Sequence, residues 1–468
     1  MGAPAADPHR QTLRFVTMAA LLGACFLLGG ASRTDVLQLA VLHPLAVACI
    51  AVFMASTGPM RWDTVRVPLA LLGGLAGIIA AQLVPLPPSV WTSLPGHARY
   101  AAPALAAGLA QPWRPISLSP DLTLSSLVSL VVPLAVLIGF ASLSRERARG
   151  LLSCVLLGVL VSAVLGLAQL SGGEKSPLYL FSIANFGAPT GLFANRNHQS
   201  VMLAVALPML PLWVMLGEKS ATRQIRGWIA LATGLLLLLL VLACGSRAGM
   251  AIAVVGLVVG WMIGRPLIRR APPVVARYAV IGLGAVIALT VAASIVFSRD
   301  EALQRIVGLP WDGESRLRFL PTIITIVRDF FPVGAGFGAF DPVYRGYEPI
   351  SSLSPLYLNH AHNDLAELVL TGGLPALLLL AILLLWWVRG GLKLLRLRVG
   401  GLTVDFGRLG LFMVGALLAA SLVDYPLRTP LVSALFALAC GWLADVLRDP
   451  RVTAPAAAKG LYRPGSSE

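Results

Sequence analysis

"TGLLLLLLVLACGSRAGMAIAVVGLVVGWMIG" is residues 233–264. Two apolar runs flank the tight turn "CGSRAG", and each belongs to a run close to the roughly 20 residues a helix needs to cross a bilayer. The turn is too short to hold a soluble element, so the two runs read as antiparallel membrane helices. Arg247 stands alone in that turn.

Similar runs recur along all 468 residues. Twelve spans are expected, near residues 14–30, 36–56, 66–84, 122–142, 150–170, 198–216, 227–244, 248–264, 277–297, 364–388, 407–425 and 429–447. The first could pass for a signal peptide, but no cleavage site precedes the second, so it is kept as a span. Hydrophobic residues make up 57% and charged residues 12%, against about 25% charged in soluble domains. Mean hydropathy is +0.82. The expected fold is an all-α integral membrane protein of about twelve helices, with a large outer loop containing short helices between spans nine and ten. Its divisions are a tail at 1–13, helices over 14–297, the loop at 298–363, helices over 364–447 and a disordered tail at 448–468. No internal repeat is evident. The five cysteines all fall in apolar runs and have no metal spacing, so they read as small buried hydrophobes.

The net charge of +15 would suit nucleic acid, but topology explains it better. With the N-terminus inside, 23 of the 36 basic residues fall in inside segments and 13 outside, six of those in the long loop. Every short inside loop carries at least two, as the positive-inside rule requires. Both termini are then cytoplasmic, and no cytoplasmic enzyme domain is left room. The outside cations need another account. Arg196 lies in "FANRNH", Arg247 in "GSRAG" and Arg428 in "DYPLRTP". Charges near membrane depth are paired, functional or snorkelling. Asp424 is close enough in sequence to be the partner of Arg428.

Three of the six histidines also fall outside: His198, and His360 with His362 in "LYLNHAHNDLAELVLTGG", residues 356–373. His43, in a span, and His97, in a Pro-rich loop, read as structural. Gly372, Gly373 and Pro375 predict a break early in the tenth span, which is tolerated where helices line a cavity. Asn363 and Glu367 share a helical face. Glu367 could orient Asn363 or a histidine, or pair with an outside arginine.

"HAHND" fits H-x-H-x-D, which opens some binuclear metal sites. Further ligands are wanting, however: Leu365 follows where a histidine is common, and His198 is the one remaining candidate. "GAGFGAF" at 334–340 has no preceding strand and no following Lys-Ser/Thr, so it reads as a turn rather than a nucleotide loop. "RLRFLPTIITIVRDFF" puts Leu317, Leu320, Ile324, Val327 and Phe331 on one helical face, with Arg316 and Arg328 near its ends. It reads either as a helix on the outer leaflet or as one packed beneath the loop. A base and arginines facing outward, without ATP, suit a donor that carries its own leaving group. Arginines can hold a diphosphate, and a histidine can take the proton of an acceptor hydroxyl with inversion. A retaining route would need Asp364 or Glu367 as nucleophile. A transporter or flippase for a polar lipid is the rival reading, and would need its cations deep in a central cavity.

"QLVPLPPSVW", "GLFANRNHQS", "GSRAG", "SRLRFLPTIITIVRDFFPVGAGFGAF" and "NHAHNDLAELVLTGG" occur in that order over residues 82–373. As a set they resemble the O-antigen ligase and O-antigen polymerase superfamily. The resemblance implies a bacterial inner-membrane protein with its active site facing the periplasm. It implies transfer of glycan from undecaprenyl diphosphate to a saccharide or lipid-linked acceptor, with no cofactor, nucleotide sugar, obligatory metal or nucleic acid. It carries the base to His362 and diphosphate or glycan contacts to Arg196 and Arg247. His360, Asn363, Asn195, Asn197, His198, Arg316 and Glu367 complete the candidate substrate-binding set. "NHAHND" with "FANRNH" leans toward the exopolysaccharide polymerase branch. A protein O-glycosyltransferase of the same superfamily would differ only in acceptor.

Overall fold

A computed structural model of the chain describes residues 7–449 except 57, 270–272, 307–311, 351–352, 354–357 and 398–399. Side chains are not described at 275, 276, 279, 293–306 and 312–318, which include Arg316 and Leu317. The tail expected to be disordered lies outside the described residues from 450 onward.

The chain opens with α1 (Pro8–Leu28), α2 (Leu39–Ala55) and α3 (Trp62–Ala81). An excursion between α3 and α6 follows, with β1 (Pro85–Leu86), α4 (Pro88–Trp91), α5 (Ala98–Ala106) and β2 (Arg114–Pro115). Next come α6 (Pro120–Ser129), α7 (Val131–Ser142), α8 (Arg145–Gly172), α9 (Arg196–Ala206), α10 (Met209–Met215), α11 (Ser220–Ala243), α12 (Arg247–Ile268) and α13 (Pro273–Ile306). The last elements are α14 (Asp312–Phe330), α15 (Phe340–Arg345), α16 (Asp364–Arg396), α17 (Leu402–Ala420) and α18 (Pro430–Leu447). Hydrocarbon offers no partner to backbone N–H and C=O, so apolar runs of this length must satisfy them internally as helices.

Among the described residues ten helical stretches are long and apolar enough to cross a membrane, while Leu39–Ala55 and Val280–Ala292 are apolar but shorter. A count of twelve depends on those two. Several helices extend beyond the expected spans. The first helix begins at Pro8, with the Asp7 carboxylate accepting from the His9 N–H at 3.0 Å. The helix that carries the ninth expected span, α13, continues to Ile306.

Glycines decide how α12 packs. A Cβ on Gly249 would lie 1.9 Å from Ser200 Oγ, one on Gly256 3.0 Å from the Ala204 carbonyl, and one on Gly264 3.2 Å from Pro211 Cβ. The contact positions rise together along the two chains, so α12 runs parallel to α9 and α10, and α9 and α12 start at the same end. Small residues permit this backbone approach where lipid supplies no hydrophobic drive. Gly249→Ala should force the two first turns apart and destabilise the protein by about 1–3 kcal/mol, read as a lower melting temperature in detergent.

The break in α16 falls at Gly373, whose φ of 60° and ψ of −153° are non-helical. The carbonyls it frees are taken by the glycine loop. Ala335 N–H donates to Leu370 at 2.9 Å and Gly336 N–H to Thr371 at 3.0 Å. Gln82, which is buried, latches both segments: its amide donates to the Thr371 carbonyl at 2.8 Å and accepts from the Phe337 N–H at 3.0 Å. "GAGFGAF" is thus the backbone partner of a broken helix.

The excursion between α3 and α6 is braced by the antiparallel β1–β2 pair and by Trp91, which donates to the Pro115 carbonyl at 2.8 Å. His97 is buried, with its two ring nitrogens each 2.8 Å from a backbone carbonyl, those of Pro95 and Ile116. On α14 the buried residues lie on a different face from most of the predicted apolar stripe. Ile323, Ile326 and Phe330 are buried against α15 and the start of α16, while Leu320, Ile324 and Phe331 on the predicted apolar face are exposed. At the opposite end of the bundle Arg61 and Arg145 both pair with Asp445.

Candidate active site

Four helix ends meet at one end of the bundle. Asn195 caps α9, accepting from the Asn197 N–H at 2.8 Å, and Arg196 is the first residue of that helix. Ser246 caps α12, which begins with Arg247. Asn363 caps α16, accepting from the Ala366 N–H at 2.9 Å. The end of α17 joins them through the Asp364 N–H, which donates to the Ser421 carbonyl at 2.8 Å. Because α9 and α12 are parallel and packed at Gly249, the first turns that begin with Arg196 and Arg247 lie at the same end of the bundle. Arg196 is half-buried and Arg247 exposed.

Between α17 and α18 lies Asp424, which is buried. His362 Nδ1 is 3.5 Å from its Oδ1, and His198 Nε2 is 3.7 Å from the same oxygen. Its other oxygen accepts from Asn197 Nδ2 at 2.8 Å, and the Tyr425 N–H donates to Oδ1 at 3.0 Å. Burial works against the Asp424 charge, but hydrogen bonding and charge from His198 and His362 outweigh it and hold the carboxyl well below the usual range.

His362 is the one non-glycine residue at positive φ among the described residues, at 49°. A left-handed conformation is costly for any residue with a Cβ, and such residues cluster at functional sites. Here it separates two histidines that are neighbours in sequence. His360 turns to Glu367, donating from Nδ1 to Oε1 at 3.1 Å, while His362 turns to Asp424. The His362 ring is 24% exposed. Nδ1 is buried and faces Asp424, which leaves the edge bearing Nε2 as the accessible side of the ring.

This corrects the expected supports. Asn363 and Glu367 do not hold His362: Asn363 is occupied as a cap, and Glu367 accepts from His360 and, at 2.9 Å, from the Ala361 N–H. Arg428 does not pair with Asp424 either. It donates to Asp364 at 2.8 Å and lies 3.2 Å from Glu367 Oε1. Burial lowers its basicity, yet the Glu367 and Asp364 carboxylates raise it above the ordinary value. Tyr425 is wedged among all three histidines, its ring centroid 4.5 Å from His360, 4.9 Å from His362 and 5.2 Å from His198. Burial and the Asp424 charge raise its phenol, against hydrogen bonding with Asn359 and Asn195. Asp424, Tyr425, Asp364 and Arg428 stand at the site and are missing from the motif-based set. The available clue was an ionisable group in a tight outer turn between two apolar runs. No group of three or more His, Cys, Asp or Glu side chains among the described residues is arranged to hold a metal ion. The side chain of Arg316 lies outside the described residues.

Beside this cluster lies a cavity of about 1040 Å³. Its polar mouth includes Asn359, His360, Asp364 and Arg428, and its walls are mainly leucine from α3, α16 and α17.

The sequence pattern of the O-antigen ligase family matches residues 232–381. The matched segment is similar to that family, and it supports the superfamily resemblance that the motifs carry. The match covers 150 of the 468 residues and runs from the middle of α11 to a point in α16 beyond its break. It therefore includes Arg247, His360 and His362, while Arg196, His198 and Asp424 reach the site from outside it. No curated protein matches the chain. A glycosyltransferase of ligase or polymerase type in a multi-pass membrane protein is the activity this family implies.

Proposed function

We propose that the chain transfers glycan from undecaprenyl diphosphate to the hydroxyl of a saccharide acceptor at the outer face of the bacterial inner membrane, with His362 as general base. The observation that carries this reading is His362 itself: a strained histidine with Nδ1 against a buried carboxylate and Nε2 open. Carboxylate contact at one nitrogen fixes the tautomer and supports the positive charge that develops when the other takes a proton. The 3.5 Å separation is long for a hydrogen bond, as catalytic contacts often are before substrate binds.

Arg196 and Arg247, on parallel first turns, suit a diphosphate that leaves as its charge grows. The acceptor oxygen attacks the anomeric carbon, its proton passes to His362 Nε2, and the bond to the diphosphate oxygen breaks. A single displacement inverts the anomeric centre. Double displacement is disfavoured because Asp364 and Glu367 are engaged by Arg428, and Asp424 is buried against His198, His362 and Asn197. In this reading the acceptor is the growing or core saccharide of a polysaccharide. The test is reconstitution of the purified chain with a lipid-diphosphate glycan and acceptor. Product of inverted configuration, with release of lipid diphosphate, is expected. Retention of configuration, or movement of the intact donor across the membrane without bond cleavage, would sink the proposal.

A further inference from the structure

We infer that a second site lies at the opposite end of α12, where a cationic pocket takes the phosphate headgroup of an anionic membrane lipid. The pocket holds about 430 Å³ between the end of α12 and the start of α17. Arg265, Arg269 and Arg408 line it, with Asp405 and an apolar floor that includes Met262 and Ile263. Asp405 engages Arg408 at 2.8 Å. Arg265 and Arg269 have no acidic partner among the described residues, and both are exposed. Three guanidinium groups against one carboxylate leave two positive charges unbalanced. Nothing lies within 4 Å of a Cβ built on Gly400 or Gly401 at the pocket wall, so the space beside them is open.

Position argues for a lipid. The 22 residues of α12 span roughly 33 Å at 1.5 Å each, about the thickness of the hydrocarbon core. With Arg247 at one surface, Arg265 and Arg269 reach the other, where phospholipid phosphates sit. Basic pockets between membrane helices are known anionic-headgroup sites, and the apolar floor suits the glycerol and first methylenes. Occupancy would pin the far end of the helix that presents Arg247.

Native mass spectrometry of the detergent-purified chain, titrated with dioleoyl phosphatidylglycerol or phosphatidylcholine, tests this. Phosphatidylglycerol should be retained selectively. The Arg265→Gln/Arg269→Gln variant should bind it about 30-fold more weakly, roughly fivefold for each charge lost. Both side chains are exposed, so the variant should insert and melt normally without lipid. Equal retention by variant and parent, or equal retention of phosphatidylcholine, would overturn the site. A thermal shift from inorganic phosphate matching that from phosphatidylglycerol would overturn the lipid assignment.

Discussion

His362→Ala is expected to abolish glycan transfer in the reconstituted system, a loss of at least about a thousandfold for a removed general base, while the protein still inserts. Asp424→Asn is expected to keep the shape of the site and lose about a hundredfold or more, because an amide cannot balance an imidazolium. The two losses should not add, since both act on one proton transfer. If Asp424→Asn retained full activity while His362→Ala did not, the buried carboxylate would be only a packing element. The effect of the amide should also hold across the neutral range. The Asp424 carboxyl is held well below its usual value, so it is ionised at every pH above the ordinary aspartate value of about 3.9. Its contribution to stability is complete there and is lost only as pH falls through the still lower folded value. Acid inactivation that begins near pH 6 must therefore come from another group, and it should appear in Asp424→Asn as well as in the parent. Loss of activity near pH 6 in the parent alone would contradict this.

The membrane fold is legible because lipid leaves few choices: long apolar runs become helices, and Gly373 with Pro375 breaks one where the sequence says it should. Local motifs are legible for the same reason that they are local. Arg247 follows a cap in its own turn, and the His362 stretch opens its own helix. Pairings between turns are not legible. Asp424 and Arg428 are four residues apart and opposite in charge, so sequence joins them. The fold sends Arg428 to Asp364 and Glu367, and Asp424 to His198 and His362. What decides is which helix ends α17 and α18 meet, and neither apolar run records that. The glycine loop is a similar case. Its positive-φ residues Gly334, Gly336 and Gly338 suit any close approach, and only the fold supplies the broken helix that they approach.

Arg428→Ala should be among the most destabilising single changes in the outer region. The guanidinium is 21% exposed and serves two carboxylates, Glu367 at 1% exposure and Asp364 at 15%. Removing it leaves two like charges close together and largely dry, which costs on the order of 3 kcal/mol. Glu367 also fixes His360 and the Ala361 N–H, so the turn that leads into His362 would loosen with it. Lower melting temperature and lower activity are therefore both expected. A double variant separates charge from packing. Arg428→Met with Glu367→Gln removes one carboxylate charge and the cation together, keeps approximate volume, and should recover most of the stability. Activity should recover less, because the substituted amide would meet His360 and the Ala361 N–H with a neutral oxygen and a competing donor. If the double variant were as unstable as Arg428→Ala, the network would be acting through shape rather than charge. If it recovered both stability and activity, the ion pairs would have no part in positioning the turn that carries His362.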